Sequence, residues 1–260
     1  MKTIVNPARA RLEAGEVSVG VGIRNSRTVD IAKAMKTAGF DWLFLDLEHS
    51  ALSIDTAVQI SVAALDVGIT PLARVPWMEH SMATRLLDGG ALGIVMPHVD
   101  TPEQAREVVS RLRYPPQGHR SVAGAMPVFD FERVNGAEAT AAVNRTLLIT
   151  VMIETPLAVE NADAIAAVEG VDTLLIGTND LSTEMGIPGQ FGHARMVAAY
   201  ETVIAACRGH GKWTGMGGAT AEADLRRYIG MGVRMVLAGG DLNLMIQAGT
   251  QMTKLVRGCV

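Results

Sequence analysis

Lysine is scarce in this chain of 260 residues, limited to Lys2, Lys33, Lys36, Lys212 and Lys254. None falls at the C-terminal end of an apolar run, so the amine that Schiff-base chemistry requires is missing where it would act. Cysteine is scarcer still. Cys207 and Cys259 form no CxxC pair and no disulfide framework, which fits reduced thiols in a cytoplasmic protein. There is no basic block: 23 Lys and Arg stand against 27 Asp and Glu. Nucleic acid is therefore a poor partner, because phosphate binding needs clustered cations. No apolar run approaches the ~20 residues that cross a bilayer, and residues 1–15 lack the continuous apolar stretch of a signal peptide. Nucleotide and nucleophile motifs are missing too. Gly209-His210-Gly211-Lys212-Trp213 has no Ser or Thr after the lysine, Gly215-Met216-Gly217 has no third glycine at the dinucleotide spacing, and no GxSxG elbow occurs.

What the chain does have is alternation. Apolar runs of strand length occupy 17–23, 42–47, 71–75, 93–97, 147–153, 173–176, 213–216 and 235–238. Between them lie segments with helical periodicity, including 54–67, 103–112, 158–168, 194–207 and 221–229. Helix starts are marked at Thr101-Pro102-Glu103 and Thr155-Pro156, and more weakly at Thr220 before Glu222. Eight strand–helix units in about 250 residues predict a single-domain (β/α)₈ TIM barrel over 1–260, with a doubly wound open sheet as the alternative. The hydrophobic fraction of 48% fits a packed barrel or surface hidden in an oligomer. One connection, 114–145, is out of proportion; such insertions are lids, binding loops or interface arms. Its part 136–144 reads as a short helix, and a last helix is expected over about 241–257.

Barrel enzymes collect their chemistry at the C-terminal ends of strands. Those ends carry Glu48 and His49 after the second run, Arg74 at the third, His98 after the fourth, Glu154 after the fifth and Asp180 after the sixth. Each has a plainer explanation. Asp180 suits a helix cap, Glu154 and Arg74 suit internal ion pairs, and a single histidine such as His49 is more often structural than catalytic. His98 has no partner by spacing and is read as structural. Coincidence on one rim raises the others above these readings. Two carboxylates without thiolate neighbours suit a hard divalent cation such as Mg²⁺ or Mn²⁺.

The segments GFDWLFLDLEH (39–49), LARVPW (72–77), LLDGGALGIVMPHVDTPEQA (86–105), YPPQGHRSV (114–122), IETPLAVEN (153–161) and IGTNDLS (176–182) make the chain recognisable from about Gly15 onward. It resembles the HpcH/HpaI family of class II pyruvate aldolases. The resemblance implies a barrel of the phosphoenolpyruvate/pyruvate type that cleaves a 4-hydroxy-2-oxo acid of the 2-keto-3-deoxy type to pyruvate and an aldehyde. It implies Glu154 and Asp180 as ligands of Mg²⁺, Mn²⁺ or Co²⁺, and His49 as the catalytic histidine. Asp88 would be its paired aspartate, and Arg74 the arginine that reaches the keto oxygen. Asp46 and Glu48 would stand behind them, Glu48 toward bound water. The turn Gly177, Thr178, Asn179 and Asp180 is expected to receive the substrate carboxylate on its N–H groups. The family commonly forms a homohexamer in which the last helix packs on a neighbouring subunit.

Two features depart from the family pattern. Met152 stands where many relatives have glutamine, and Gln117 and His119 replace an arginine and an apolar residue. Both bear on which aldehyde is used, a choice expected to fall to the 114–145 connection of this chain or a neighbour. Alternatives on the same barrel are oxaloacetate decarboxylation, a citrate-lyase-like acyl-CoA lyase, and a silent barrel with a binding or assembly role.

Overall fold

A computed structural model describes residues 3–259. Eight parallel strands close into a barrel in sequence order: β1 (Ser18–Ile23), β2 (Trp42–Asp46), β3 (Thr70–Arg74), β4 (Gly93–Met96), β5 (Leu148–Ile153), β6 (Thr173–Gly177), β7 (Trp213–Gly217) and β8 (Met235–Gly240). Around them run α1 (Pro7–Glu13), α2 (Asp30–Thr37), α3 (Ile54–Val67), α4 (His80–Asp88), α5 (Pro102–Leu112) and α6 (Gly136–Thr146). They are followed by α7 (Pro156–Glu160), α8 (Ala162–Ala166), α9 (Thr178–Glu184), α10 (Ala194–Gly209), α11 (Glu222–Met231) and α12 (Asp241–Arg257). No described helix is long and apolar enough to cross a membrane.

Strand parity divides the apolar side chains between two cores. Outward residues such as Leu43, Leu45, Ile94, Val151 and Leu174 meet the helices in the larger core. Inward residues Trp42, Phe44, Leu72, Val95, Leu148, Met152, Leu175 and Met235 fill the barrel, and Ala8 and Leu12 of α1 join them as a plug at its N-terminal mouth. The indole of Trp42 occupies the space beside Gly20, where a Cβ would stand 2.1 Å from the ring. That close approach requires glycine.

Helix termini explain several boundaries. Thr101 caps α5 in a full capping box with Gln104, and Thr155 caps α7 by accepting from the Ala158 N–H. The start of α11 differs from the sequence reading: Ala221, not Thr220, is the N-cap and offers no side-chain bond. The helix expected over 158–168 is interrupted at Asn161, whose φ and ψ of −89° and 3° leave the helical basin. Its amide is drawn off to the Asp100 carbonyl at 2.8 Å.

The long 114–145 connection joins the end of α5 to the start of β5, so it lies at the N-terminal rim of the barrel. A Pro127–Phe129 3₁₀ turn and α6 give it shape. Asn144 bonds both backbone groups of Tyr114 at 2.9 Å, and Arg120 lies 4.6 Å from the Tyr114 ring centroid.

Candidate active site

The inward rows of β2 and β3 end in charge. Asp46 and Arg74 are cross-strand partners, fully buried and 4% exposed respectively. Arg74 grips both carboxylate oxygens, Nε to Oδ1 at 3.0 Å and Nη2 to Oδ2 at 2.7 Å, the bidentate geometry that makes arginine specific. Asp46 also accepts from Arg24 Nε at 2.6 Å and from the backbone N–H groups of Glu48 and His49 at 3.2 and 3.1 Å. Burial alone would raise its pKa. The hydrogen bond and charge of Arg74, the His49 N–H and the charge of Arg24 outweigh it and hold the carboxyl at about 2. The third nitrogen of Arg74, Nη1, is 3.0 Å from Glu48 Oε2.

Across the barrel mouth, Glu154 follows β5 and is 2% exposed. It accepts the His98 N–H at 2.8 Å. Burial pushes its pKa up to about 7; the charge of Asp180 adds to the rise, while the His98 N–H, the His98 ring and Arg74 oppose it. Gly177 makes room for this side chain, since a Cβ there would stand 2.6 Å from Glu154 Oε1. Asp180 is exposed in the first turn of α9. No side chain caps that helix, whose N-cap is Gly177, so its first N–H groups point outward unpaired by a cap.

His98 belongs to this site, contrary to its reading as a structural residue. Its Nδ1 lies 3.3 Å from Glu154 Oε2 and its Nε2 3.5 Å from Glu48 Oε1, linking the two acids across the rim. It takes a left-handed φ of 51°, a region in which histidine is enriched among non-glycine residues. Spacing could not find it because both partners are distant in sequence; its place just after β4 was the available signal.

A cleft of about 450 Å³ opens at the C-terminal mouth beside these groups, within the ~300–1,000 Å³ typical of small-ligand sites. His49, Arg74, Met152 and the Gly177–Asp180 turn all line it. His49 is 3.7 Å from Glu48 through Nε2, and its side chain is 54% exposed. Met152 offers no hydrogen bond and extends the apolar wall formed with Phe44 and Leu175. No lysine is among the lining residues described; Lys212 donates to the Val171 carbonyl, and Lys2 lies outside the described residues.

Two sequence expectations are not met within one chain. Asp88 ends α4, which runs antiparallel to the strands, and so lies at the N-terminal rim, away from His49. Its carboxylate pairs instead with Arg120 Nη2 at 2.5 Å. The 114–145 connection also sits at that rim, and none of its residues lines the cleft.

Two residues that sequence reasoning missed do line the cleft: Arg24, at the end of the inward β1 row, and Asp241. Asp241 is 4% exposed and accepts N–H groups from Arg24, Asn25 and Ser26 at 3.3, 3.0 and 2.8 Å, fixing the loop that presents Arg24. Burial would raise its pKa, and those N–H bonds lower it.

No cluster of three or more His, Cys, Asp or Glu side chains able to hold a metal occurs among the described residues. A hard divalent ion needs less protein than that, since Mg²⁺ is held by one or two carboxylates with water and substrate oxygens completing its shell. Glu154 fits such an ion. Its charge is disfavoured where it stands, and a second acid adds to the strain. Glu48 Oε2 is buried and faces Arg74 Nη1 at 3.0 Å, so its charge is already partnered.

A closed parallel barrel that gathers acids, an arginine and histidines at its C-terminal mouth is the layout of a barrel enzyme. The chain belongs to the HpcH/HpaI aldolase/citrate lyase family, whose pattern matches residues 24–248. It is 42% identical over 240 residues to a 4-hydroxy-4-methyl-2-oxoglutarate aldolase of Hapsidospora irregularis, covering 90% of this chain and 88% of that one. It is 36% identical over 239 residues to a 5-keto-4-deoxy-D-glucarate aldolase of Shigella dysenteriae, covering 92% of each. Among solved structures, an HpcH/HpaI aldolase from Desulfitobacterium hafniense superposes with a TM-score of 0.91 at 33% identity, covering 97% of both chains.

Proposed function

We propose that this chain is a class II aldolase, reversibly cleaving a 4-hydroxy-2-oxo acid to pyruvate and an aldehyde with a divalent cation held by Glu154 and Asp180. The observation that carries this reading is a buried Glu154 whose pKa is raised by burial and by the charge of Asp180, an acid that lines one cleft with His49 and the clamped Arg74. The relatives named as aldolases over most of the chain support it. When bound, Mg²⁺, Mn²⁺ or Co²⁺ would supply Lewis-acid stabilisation of negative charge on the keto oxygen.

The remaining work falls to the chain. Cleavage breaks the C3–C4 bond, sends its electron pair toward C2 and the keto oxygen, and removes the proton of the C4 hydroxyl. His49, exposed in the cleft, takes that proton directly or through water, and a proton returned to C3 completes pyruvate. Arg74 adds fixed positive charge beside the keto oxygen; its three nitrogens are already held by Asp46 and Glu48, so little reorganisation is needed. Glu48 orients water through its carboxylate, whose Oε2 also pairs with Arg74 Nη1. The N–H groups of the Gly177–Asp180 turn receive the substrate carboxylate. Met152 keeps the adjoining wall apolar.

The assembly is an oligomer, by this reading a hexamer. Along α12, Leu242, Met245, Ile246, Met252, Leu255 and Val256 are 44–64% exposed, a row of exposed apolar side chains on one helix of the kind that marks an interaction surface. Cys207 and Cys259 are free thiols, which supports a cytoplasmic setting. Incubation with pyruvate, a panel of aldehydes and each cation tests the activity. Aldol product is expected; loss of oxaloacetate without aldol turnover would favour a decarboxylase, and silence in both would favour a binding protein.

A further inference from the structure

The cleft contains one cation whose donors are unfinished. Arg74 is committed to Asp46 and Glu48, and Asp241 to backbone N–H groups. Arg24 differs. Its Nε donates to Asp46 Oδ2 at 2.6 Å, its side chain is half exposed, and it lines the cleft. Neither of its terminal nitrogens has a hydrogen-bond partner among the described residues. A guanidinium carries five N–H donors in one plane. With Nε–H taken by a buried acid that fixes the plane, four remain on the two terminal nitrogens, and one from each points along their shared edge. Such an edge receives a carboxylate through two parallel bonds.

Position gives this edge a role. Glu154 and the Gly177–Asp180 turn stand at β5 and β6, His49 and Arg74 at β2 and β3, and Arg24 at the end of β1. A substrate whose 2-oxo acid end lies at β6, with its C4 hydroxyl toward His49, directs its far end to Arg24. No residue of the 114–145 connection lines that path within the chain.

We infer that Arg24 determines specificity for the aldehyde half by binding a carboxylate at its far end, so that the substrate is a 4-hydroxy-2-oxo diacid. This rests on the aldolase reading. A carboxylate suits the site better than a phosphate, because Arg24 is the only cation of the described lining with free terminal nitrogens, and a dianion would call for a second.

The test compares kcat/KM for condensation of pyruvate with an ω-oxo acid and with its methyl ester, in the presence of Mg²⁺. Wild type is expected to prefer the acid by about 10–100-fold, the scale of a charge-assisted bidentate pair. In Arg24→Gln the ratio should fall toward one, and Arg24→Lys should keep part of it. Equal use of acid and ester by wild type would overturn the inference. So would an equal loss on both in Arg24→Gln, which would mean that Arg24 acts only by positioning Asp46 and Arg74, and so would preference for a phosphorylated aldehyde of the same length. Should the variants fail to fold, inhibition of wild type decides: a five-carbon 2-oxo diacid must bind at least about tenfold tighter than its ω-methyl ester, and equal binding refutes the assignment. Exchange of the pyruvate methyl protons with solvent needs no aldehyde. Exchange without acid preference leaves the aldolase reading intact and removes Arg24; absence of both exchange and turnover removes the two together.

Discussion

Replacing Glu154 by glutamine should stabilise the metal-free protein at alkaline pH, the reverse of what removal of a useful buried group does. The amide keeps an acceptor for the His98 N–H and drops the charge. Burial carries the carboxyl from its ordinary 4.5 to about 7, and each unit of pKa is worth about 1.4 kcal/mol. Ionised Glu154 therefore costs the folded chain about 3 kcal/mol relative to the unfolded one. The sign follows from proton counts. Between 4.5 and 7 the folded state holds the proton that the unfolded state has released, so stability falls as pH rises through that window and stays low above it. At pH 8 in EDTA, Glu154→Gln should melt about 6–12 °C above wild type, taking ~2–4 °C per kcal/mol for a chain of this size. At pH 5 the advantage should shrink below about 1 kcal/mol. Mn²⁺ at a hundredfold over its Kd should return about 2.7 kcal/mol to wild type alone and close most of the gap. Calorimetric melts at pH 5, 6, 7 and 8, with and without Mn²⁺, read all of this. A variant less stable than wild type by the same margin at every pH would refute the reasoning.

Other consequences are simpler to state. His49→Ala should lower kcat by about 10²–10⁴-fold while leaving Mn²⁺ affinity essentially unchanged, as measured by calorimetric titration; an unaltered rate would remove its proton-transfer role. Light scattering should give wild type a mass several times 27.6 kDa, reduced when Ile246→Glu and Leu255→Glu are introduced on α12. A wild-type monomer would contradict the assembly proposed for that face.

The barrel was legible because each strand is an apolar run closed off by polar residues, and because eight of them alternate with helices. The rim residues were legible for the same reason: Asp46, Arg74 and Glu154 are the inward positions where apolar rows stop. Less visible was what depends on direction. Asp88 and the 114–145 connection follow helices, so the alternation of strand and returning helix carries both to the N-terminal rim, and a match of motifs says nothing of that. His98 carries no spacing signal because its partners Glu48 and Glu154 are reached only through space. Arg24 was within reach of parity alone: Ser18, Gly20 and Gly22 alternate inward along β1, and the next residue in that row is the arginine. The gap at Asn161 follows from a side-chain bond to the Asp100 carbonyl, which competes with helical propensity and leaves no periodic signature.

The central claim is that Glu154 and Asp180 together hold a divalent cation that lets this cleft draw a proton from the methyl group of pyruvate. Proton NMR of pyruvate in D₂O with the purified protein and Mg²⁺ tests it most directly. Loss of the methyl signal is expected in wild type, arrested by EDTA and absent in Asp180→Asn. Undiminished exchange in EDTA, or in Asp180→Asn, would contradict it.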